Sequence, residues 1–129
     1  MTPERTLLET TELIAVVGLS NDPNKASHRV SEFMQHHGYK IVPVNPNEVS
    51  ILGEKCYPNL ESIPFAIDMV NVFRPAKDCT DIAKSAVTIG AKSVWLQLGI
   101  VSEEAKDIVE KAGIGFVMDR CLKIEYAMG

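Results

Sequence analysis

The stretch from Glu12 to Val30 constrains the fold of this 129-residue chain more than any other. It begins with a short apolar run, Leu13 to Val17, which is rich in β-branched residues and stops at Gly18. A polar turn over Leu19 to Asn24 follows, and apolar residues then recur at helical spacing. The order strand, glycine turn, helix is typical of α/β domains that offer backbone N–H groups to a phosphate. The stretch therefore predicts a phosphate site, although an ordinary tight βα turn has the same local pattern.

The rest of the chain repeats the alternation of short apolar strands and amphipathic helices. The predicted strands are Leu13–Val17, Lys40–Val44, Ile67–Phe73, Ser93–Gln97 and Ile114–Met118. Residues 48–64 are irregular, with one helical turn at residues 60–63. Short βαβ connections favour right-handed crossovers and a parallel sheet. We therefore predict one domain over residues 1–129, a three-layer Rossmann-like α/β fold with five parallel strands in the order 3-2-1-4-5. Residues 1–11 form a lead-in helix, and residues 119–129 form a partly helical tail.

Composition excludes several classes of function. The formal net charge of −4 gives no support to nucleic-acid binding through phosphate contacts. No apolar run approaches the roughly 18 residues of a membrane span, and the first residues lack the order of a signal peptide. The three cysteines have no spacing typical of a metal site or a disulfide framework. The sequence thus predicts a cytoplasmic protein with reduced thiols and no metal.

Polar residues gather directly after the predicted strands. In a parallel sheet these positions share one edge, where ligands bind. The residues concerned are 18–21, Asn45 and Pro46, Arg74 and Pro75, 97–99, and 119–121. Arg74 is interpreted either as a ligand contact or as one half of an ion pair at this edge.

The details of the glycine turn argue against a dinucleotide. A GxGxxG fingerprint requires glycine where Ser20 stands, and the second strand ends in Asn45 and not in an acid that would bind a ribose hydroxyl. Lys25 and Arg29 begin the following helix, where they either neutralise phosphate or belong to a solvated helix face.

Cys121 is the one residue with reactive possibilities. It follows the last strand, where a helix N-terminus could lower the pKa of a thiol. No histidine is placed in the sequence to act as its base, and His28 is spaced for neither a metal site nor a triad. An inert, partly buried thiol is the alternative interpretation.

Six ordered motifs resemble the small stand-alone CoA-binding proteins, which are similar to the N-terminal CoA-binding domain of the succinyl-CoA synthetase α subunit. They are IAVVGLSNDPNKASHRV, GYKIVPVNPN, LGEKCYPNLESIP, DMVNVFRPA, GAKSVWLQLGI and VMDRCLKIEY. The resemblance implies a CoA site in which phosphates lie against Gly18, Leu19, Ser20 and Asn21, with charge from Lys25 and Arg29. It further implies nucleotide contacts from Val44, Asn45, Pro46, Val72, Phe73 and Arg74, and closure of the site by Gln97 and Gly99.

The function expected from this resemblance is binding of coenzyme A or an acyl-CoA without catalytic residues in this chain. The synthetase's phosphorylated histidine belongs to a later domain, so the resemblance does not imply succinyl-CoA synthesis. One alternative is an enzyme or redox protein that acts on a CoA thioester or CoA disulfide through Cys121. Another is an accessory subunit of a larger assembly, and the oligomeric state stays open.

Overall fold

The computed structural model describes residues 2–129, which alternate between strands and helices. The helices are α1 (Pro3–Thr10), α2 (Ala26–His36), α3 (Ala76–Thr88), α4 (Glu103–Lys111) and α5 (Leu122–Met128). The strands are β1 (Leu13–Val17), β2 (Lys40–Val44), β3 (Ser50–Ile51), β4 (Glu54–Lys55), β5 (Met69–Val72), β6 (Ser93–Leu96) and β7 (Gly115–Val117). A 3-10 turn covers Leu60–Ser62, within the helical turn predicted there.

The five longer strands form one parallel sheet in the order β2-β1-β5-β6-β7. The predicted α/β class and five-stranded parallel sheet are confirmed, but the predicted order 3-2-1-4-5 is wrong. The third predicted strand, β5, pairs with the free side of β1, with Ile14 opposite Met69, so the order is 2-1-3-4-5. This leaves β2 at the edge of the sheet.

Pro43 explains why β2 is an edge strand. The carbonyl of Pro43 faces away from β1 and accepts a hydrogen bond from the Tyr57 N–H at 3.0 Å. A central strand needs an N–H donor on that side, which proline lacks. All four residues of β5 are buried, as expected of a parallel strand that is covered on both faces.

Helices cover both faces of the sheet, and each face has its own apolar core. On one face Leu8 of α1, Met34 of α2 and Leu122 of α5 pack around Trp95. On the other, small residues of α3 and α4, such as Ala83 and Ala105, pack against alternate residues of the strands. Burial of these apolar side chains is the main favourable contribution to folding.

The connection from β2 to β5 contains no α-helix. The antiparallel hairpin β3–β4 occupies the middle of it, which the sequence analysis interpreted only as loop and turns. Tyr57 then forms a single parallel bridge with Val44 at the end of β2, and its carbonyl accepts a hydrogen bond from the Asn45 N–H at 2.9 Å. The connection therefore returns to the carboxyl edge of the sheet. No helix in residues 2–129 is long and apolar enough to cross a bilayer.

Candidate functional site

A cleft of about 610 Å³ opens at the carboxyl edge of the sheet, between the ends of β1 and β5. The strand order reverses at this point, because the chain leaves β1 towards β2 and later returns to the opposite side of β1. Such a switch point is the usual ligand crevice of an open parallel sheet. The lining residues are Val17, Gly18, Ser20, 44–47, 58–61, Arg74, Asp78, Asp81, Ile82 and Ser85.

Gly18 lines the cleft and tolerates no side chain. Its φ of +87° lies in the region that favours glycine. A Cβ built on Gly18 would lie 2.8 Å from the carbonyl oxygen of Phe73 and 3.0 Å from Cδ of Arg74. The turn after β1 therefore lies directly against the end of β5.

Side chains from α2 fix the turn that follows Gly18. The Ser20 N–H donates to Ser27 Oγ at 3.0 Å, and Ser20 Oγ accepts from the Asp22 N–H at 3.0 Å. The buried ring of His28 lies with Nδ1 at 2.9 Å from the Ser20 carbonyl, which requires the proton on Nδ1. His28 is thus a positioning residue for the turn, a role that its sequence spacing does not reveal.

Asn45 joins the end of β2 to the same turn. Its side-chain Nδ2 donates to the Leu19 carbonyl at 3.0 Å, and its Oδ1 accepts from the Asn47 N–H at 2.8 Å. The Cys56 thiol donates to the Asn45 carbonyl at 3.4 Å. These contacts hold two walls of the cleft, the turn after β1 and residues 45–47, in a fixed relation.

The opposite wall is charged. Arg74, which follows β5, forms an ion pair with Asp78 in the first turn of α3, at 2.9 Å between Nη2 and Oδ2. Arg74 is the one cationic side chain that lines the cleft within residues 2–129, whereas Glu61, Asp78 and Asp81 supply three carboxylates. Of the two alternatives for Arg74, the structure shows the ion pair; Arg74 also lines the cleft, and its contact with a ligand stays a prediction.

The structure brings six of the fourteen predicted site residues to the cleft: Gly18, Ser20, Val44, Asn45, Pro46 and Arg74. Leu19 and Val72 are fully buried, and Phe73, half-buried, approaches the site through its carbonyl. Asn21, Lys25 and Arg29 are exposed beside the turn but do not line the cleft, and the guanidinium of Arg29 donates to the Asn24 carbonyl.

The two residues predicted to close the site lie after β6. Gln97 is buried and its Nε2 donates to Oδ1 of Asn71 at 2.8 Å. The N–H of Gly99 donates to Oδ1 of Asp119 at 2.8 Å, which ties the turn after β6 to the turn after β7. Neither residue lines the cleft.

Sequence reasoning missed the wall supplied by α3. Asp78, Asp81, Ile82 and Ser85 follow the spacing i, i+3, i+4, i+7 and so share one helix face. That face begins only a few residues after a strand, which is the signal that could have revealed it. The contribution of residues 58–61 has no comparable signal, because it depends on how the irregular connection folds back.

The cysteines lie outside the cleft lining. Burial raises the pKa of the Cys56 thiol, and it does the same for Cys79. Cys121 is partly buried at the residue that precedes α5, and its sulfur makes no hydrogen bond within residues 2–129. In that described part of the chain no group of His, Cys, Asp and Glu side chains is placed to hold a metal ion. The reactive interpretation of Cys121 stays a prediction.

Comparison with known proteins gives consistent matches. A family model described as "CoA binding domain" matches residues 12–127. The chain is 40% identical over 122 residues to the uncharacterized protein YneT of Bacillus subtilis (strain 168), which covers 95% of this chain and 90% of YneT. A solved structure of a hypothetical protein from Pyrococcus horikoshii OT3 has a TM-score of 0.95 at 34% identity, covering 99% of this chain and 92% of that one.

A third relative is much longer than this chain. The α subunit of ADP-forming acetate–CoA ligase II from Pyrococcus furiosus is 30% identical over 122 residues. The match covers 86% of this chain but 27% of that subunit. The chain therefore corresponds to one part of the ligase subunit, and the resemblance inferred from the six motifs is confirmed.

Proposed function

Because the chain belongs to the CoA-binding domain family, we propose that it binds coenzyme A or an acyl-CoA in the cleft between β1 and β5. The observation that carries this proposal is the position of Gly18 at the switch point of the sheet. Gly18 packs against the Phe73 carbonyl oxygen and lines the cleft, so the turn that it begins borders the space that a ligand would occupy. The proposal concerns binding only.

The phosphates are assigned to the turn formed by Gly18, Leu19, Ser20 and Asn21. The Ser20 N–H is already used by Ser27, and the Gly18 N–H by the Val44 carbonyl at 3.1 Å. The N–H groups of Leu19 and Asn21 have no hydrogen-bond partner within residues 2–129. They are the amides of this turn that a phosphate oxygen would engage.

Charge for the phosphates is assigned to Lys25 and Arg29 as well as to Arg74. Lys25 is exposed and precedes the first residue of α2, whose N-terminus has no side-chain cap. The N-terminal end of a helix favours an anion through its dipole and its free N–H groups. Arg29 lies one turn further along α2 and would exchange its contact with the Asn24 carbonyl for a phosphate oxygen.

The walls of the cleft are assigned to the nucleotide. Val44, Asn45 and Pro46 border it on the side of β2, and Arg74 borders it on the side of α3. Val72 and Phe73 support this wall from the end of β5. An extended ligand such as coenzyme A reaches beyond the cleft, and Gln97 and Gly99, after the neighbouring strand β6, are the predicted contacts for its outer part.

Isothermal titration with coenzyme A and with NAD tests the proposal. We expect saturable heat with coenzyme A and none with NAD. Replacement of the two exposed cations, Lys25→Ala and Arg29→Ala, should each weaken binding about three- to tenfold, because each removes one charge near a phosphate. Lys111→Ala, on α4 and outside the cleft, is the matched control and should bind like the parent. A clear NAD signal without a coenzyme A signal would overturn the proposal.

A further inference from the structure

We propose that Asp78 sets the affinity of the cleft for phosphate by holding the guanidinium of Arg74. This inference rests on the proposed function, since it names the residue that limits how strongly a phosphorylated ligand binds at the same site. Asp78 limits affinity because it offers Arg74 an internal carboxylate in place of the ligand's phosphate.

Arg74 makes two hydrogen bonds to Asp78. Nε of Arg74 donates to Oδ2 of Asp78 at 3.2 Å, and Nη2 donates to the same oxygen at 2.9 Å. One edge of the guanidinium is therefore occupied, and the Nη1 side stays available. Both partners line the cleft, so the ion pair is part of the site and not a remote surface contact.

The stem of Arg74 fixes where its charge lies. The Cδ atom would be 3.0 Å from a Cβ on Gly18, so the side chain lies over the glycine turn to which the phosphates are assigned. Among cleft-lining side chains within residues 2–129, no other carries a positive charge. The pairing with Asp78 thus offsets the positive charge that the cleft-lining side chains supply.

Two opposite effects of Asp78 on a phosphate are conceivable, and their sizes differ. Asp78 favours binding to the extent that it orients Arg74. The pair is solvent-accessible, however, with side-chain exposures of 51% and 35%, and exposed ion pairs contribute little free energy to holding a side chain in place. The carboxylate also repels a phosphate held by the same guanidinium, and this repulsion acts over several ångströms at low salt. The repulsion is the larger effect, so the charge of Asp78 weakens binding.

Asp81 provides a matched control. It lies three residues after Asp78 on the same helix face, lines the same cleft and carries the same charge, but it makes no ion pair within the described residues. Removing the charge of Asp81 changes the overall field of the cleft without releasing Arg74. A difference between the two positions therefore reports the pairing itself.

The test is titration of coenzyme A into five proteins. They are the parent, the single variants Asp78→Asn, Asp81→Asn and Arg74→Ala, and the double variant that combines Arg74→Ala with Asp78→Asn. We expect Asp78→Asn to tighten binding about three- to tenfold, that is about 0.7–1.4 kcal/mol, and Asp81→Asn at most about twofold. In the Arg74→Ala background the gain from Asp78→Asn should shrink to that of Asp81→Asn. Asp78→Ser, which also lacks the charge, replaces Asp78→Asn if the latter does not fold.

Salt dependence gives a second readout that a structural change alone would not move. The affinity of Asp78→Asn should fall more steeply with added salt than that of the parent, because an unpaired Arg74 attracts the anion more strongly. Equal gains from Asp78→Asn and Asp81→Asn, or a weaker Asp78→Asn, would overturn this inference while coenzyme A binding itself stood. Absence of coenzyme A binding in all variants would overturn the proposed function and this inference with it.

Discussion

Two glycines at the carboxyl edge of the sheet share a positive φ but have different surroundings. Gly18, after β1, has a φ of +87°, and Gly99, after β6, has a φ of +88°. A Cβ on Gly18 would lie 2.8 Å from the Phe73 carbonyl oxygen, whereas a Cβ on Gly99 would meet nothing within 4 Å. The turn after β6 is fixed instead by a hydrogen bond from its N–H to Asp119.

The difference follows from the strand order. Gly18 lies where β1 and β5 meet at the switch point, so its backbone packs against the carboxyl end of a neighbouring strand. Gly99 follows β6, whose outer neighbour is the short edge strand β7. Conformation alone requires glycine at both positions, but close packing requires it only at Gly18, and only that turn lines the cleft.

Replacing each of the two glycines with alanine should give the largest difference in unfolding free energy. Gly99→Ala should cost about 1–2 kcal/mol of unfolding free energy, the usual penalty for an alanine with left-handed backbone. Gly18→Ala adds an overlap with the Phe73 carbonyl, which the backbone of β5 must move to relieve, and should cost about 3 kcal/mol or more. Urea unfolding followed by circular dichroism measures both. Equal losses would show that close packing at Gly18 has no energetic consequence.

Asp119 should be the next largest effect, and it concerns only the turn after β6. Asp119→Ala leaves the Gly99 N–H without its acceptor and places alanine at a φ of 58°, so we expect a loss of about 2–3 kcal/mol. Asp119→Asn keeps an acceptor and a residue that tolerates this conformation, and should lose less than about 1 kcal/mol. The same urea unfolding series measures both, and a comparable loss in the two variants would contradict the assigned role of the hydrogen bond.

The sequence predicts the elements around these turns well and their arrangement less well. The predicted bounds of β1 and β2 match those of the structure, because each strand is a largely apolar run followed by a turn residue. The predicted strand order is wrong because it places β2 between two strands, although Pro43 in β2 favours an edge position. The hairpin β3–β4 was missed because strands of two residues have too few positions to show an alternating pattern.

The residues of the candidate site likewise divide into those that the sequence predicts and those that it does not. Residues that follow strands, such as Gly18, Ser20 and Arg74, are predictable because parallel strands end at one edge. Residues on the helix face from Asp78 to Ser85 are missed, since strand ends say nothing about which helix face borders a crevice. Gln97 and Gly99 also come directly after a strand, but they lie away from the cleft. The cleft forms only at the switch point between β1 and β5, and β6 is not one of the strands that meet there.

His28 should give a smaller effect, confined to the first turn. His28→Ala removes the hydrogen bond to the Ser20 carbonyl and should cost about 1 kcal/mol, while His28→Asn should recover part of it. His36→Ala, exposed on the same helix, is the control and should change stability by less than about 0.5 kcal/mol. Thermal unfolding measures all three. A loss in His36→Ala equal to that in His28→Ala would remove the reason to regard His28 as a positioning residue.

The smallest effect concerns Asp68, which joins β1 to β5 at the amino end of the sheet. Its Oδ2 accepts from the N–H groups of Glu12 and Leu13 at 3.0 and 2.9 Å, and Lys92 Nζ lies 3.5 Å from Oδ1. Burial acts to raise the pKa of the Asp68 carboxyl, but the hydrogen bonds from Leu13 and Glu12 and the charge of Lys92 together outweigh it, so the pKa lies below its ordinary value.

Acid should therefore weaken the contact between β1 and β5 at the amino end of the sheet, opposite the edge where Gly18 lies. Because the folded-state pKa is the lower one, the stabilising contribution of Asp68 is fully present above the unfolded value of about 3.9 and is lost as the pH falls through the folded value. Asp68→Asn should be less stable than the parent near neutral pH, and the gap should narrow as the pH falls. Urea midpoints of both proteins from about pH 7 to about pH 3 measure this, and comparing the two cancels the other carboxylates. A gap that stays constant with pH would mean that Asp68 holds the two strands without its charge.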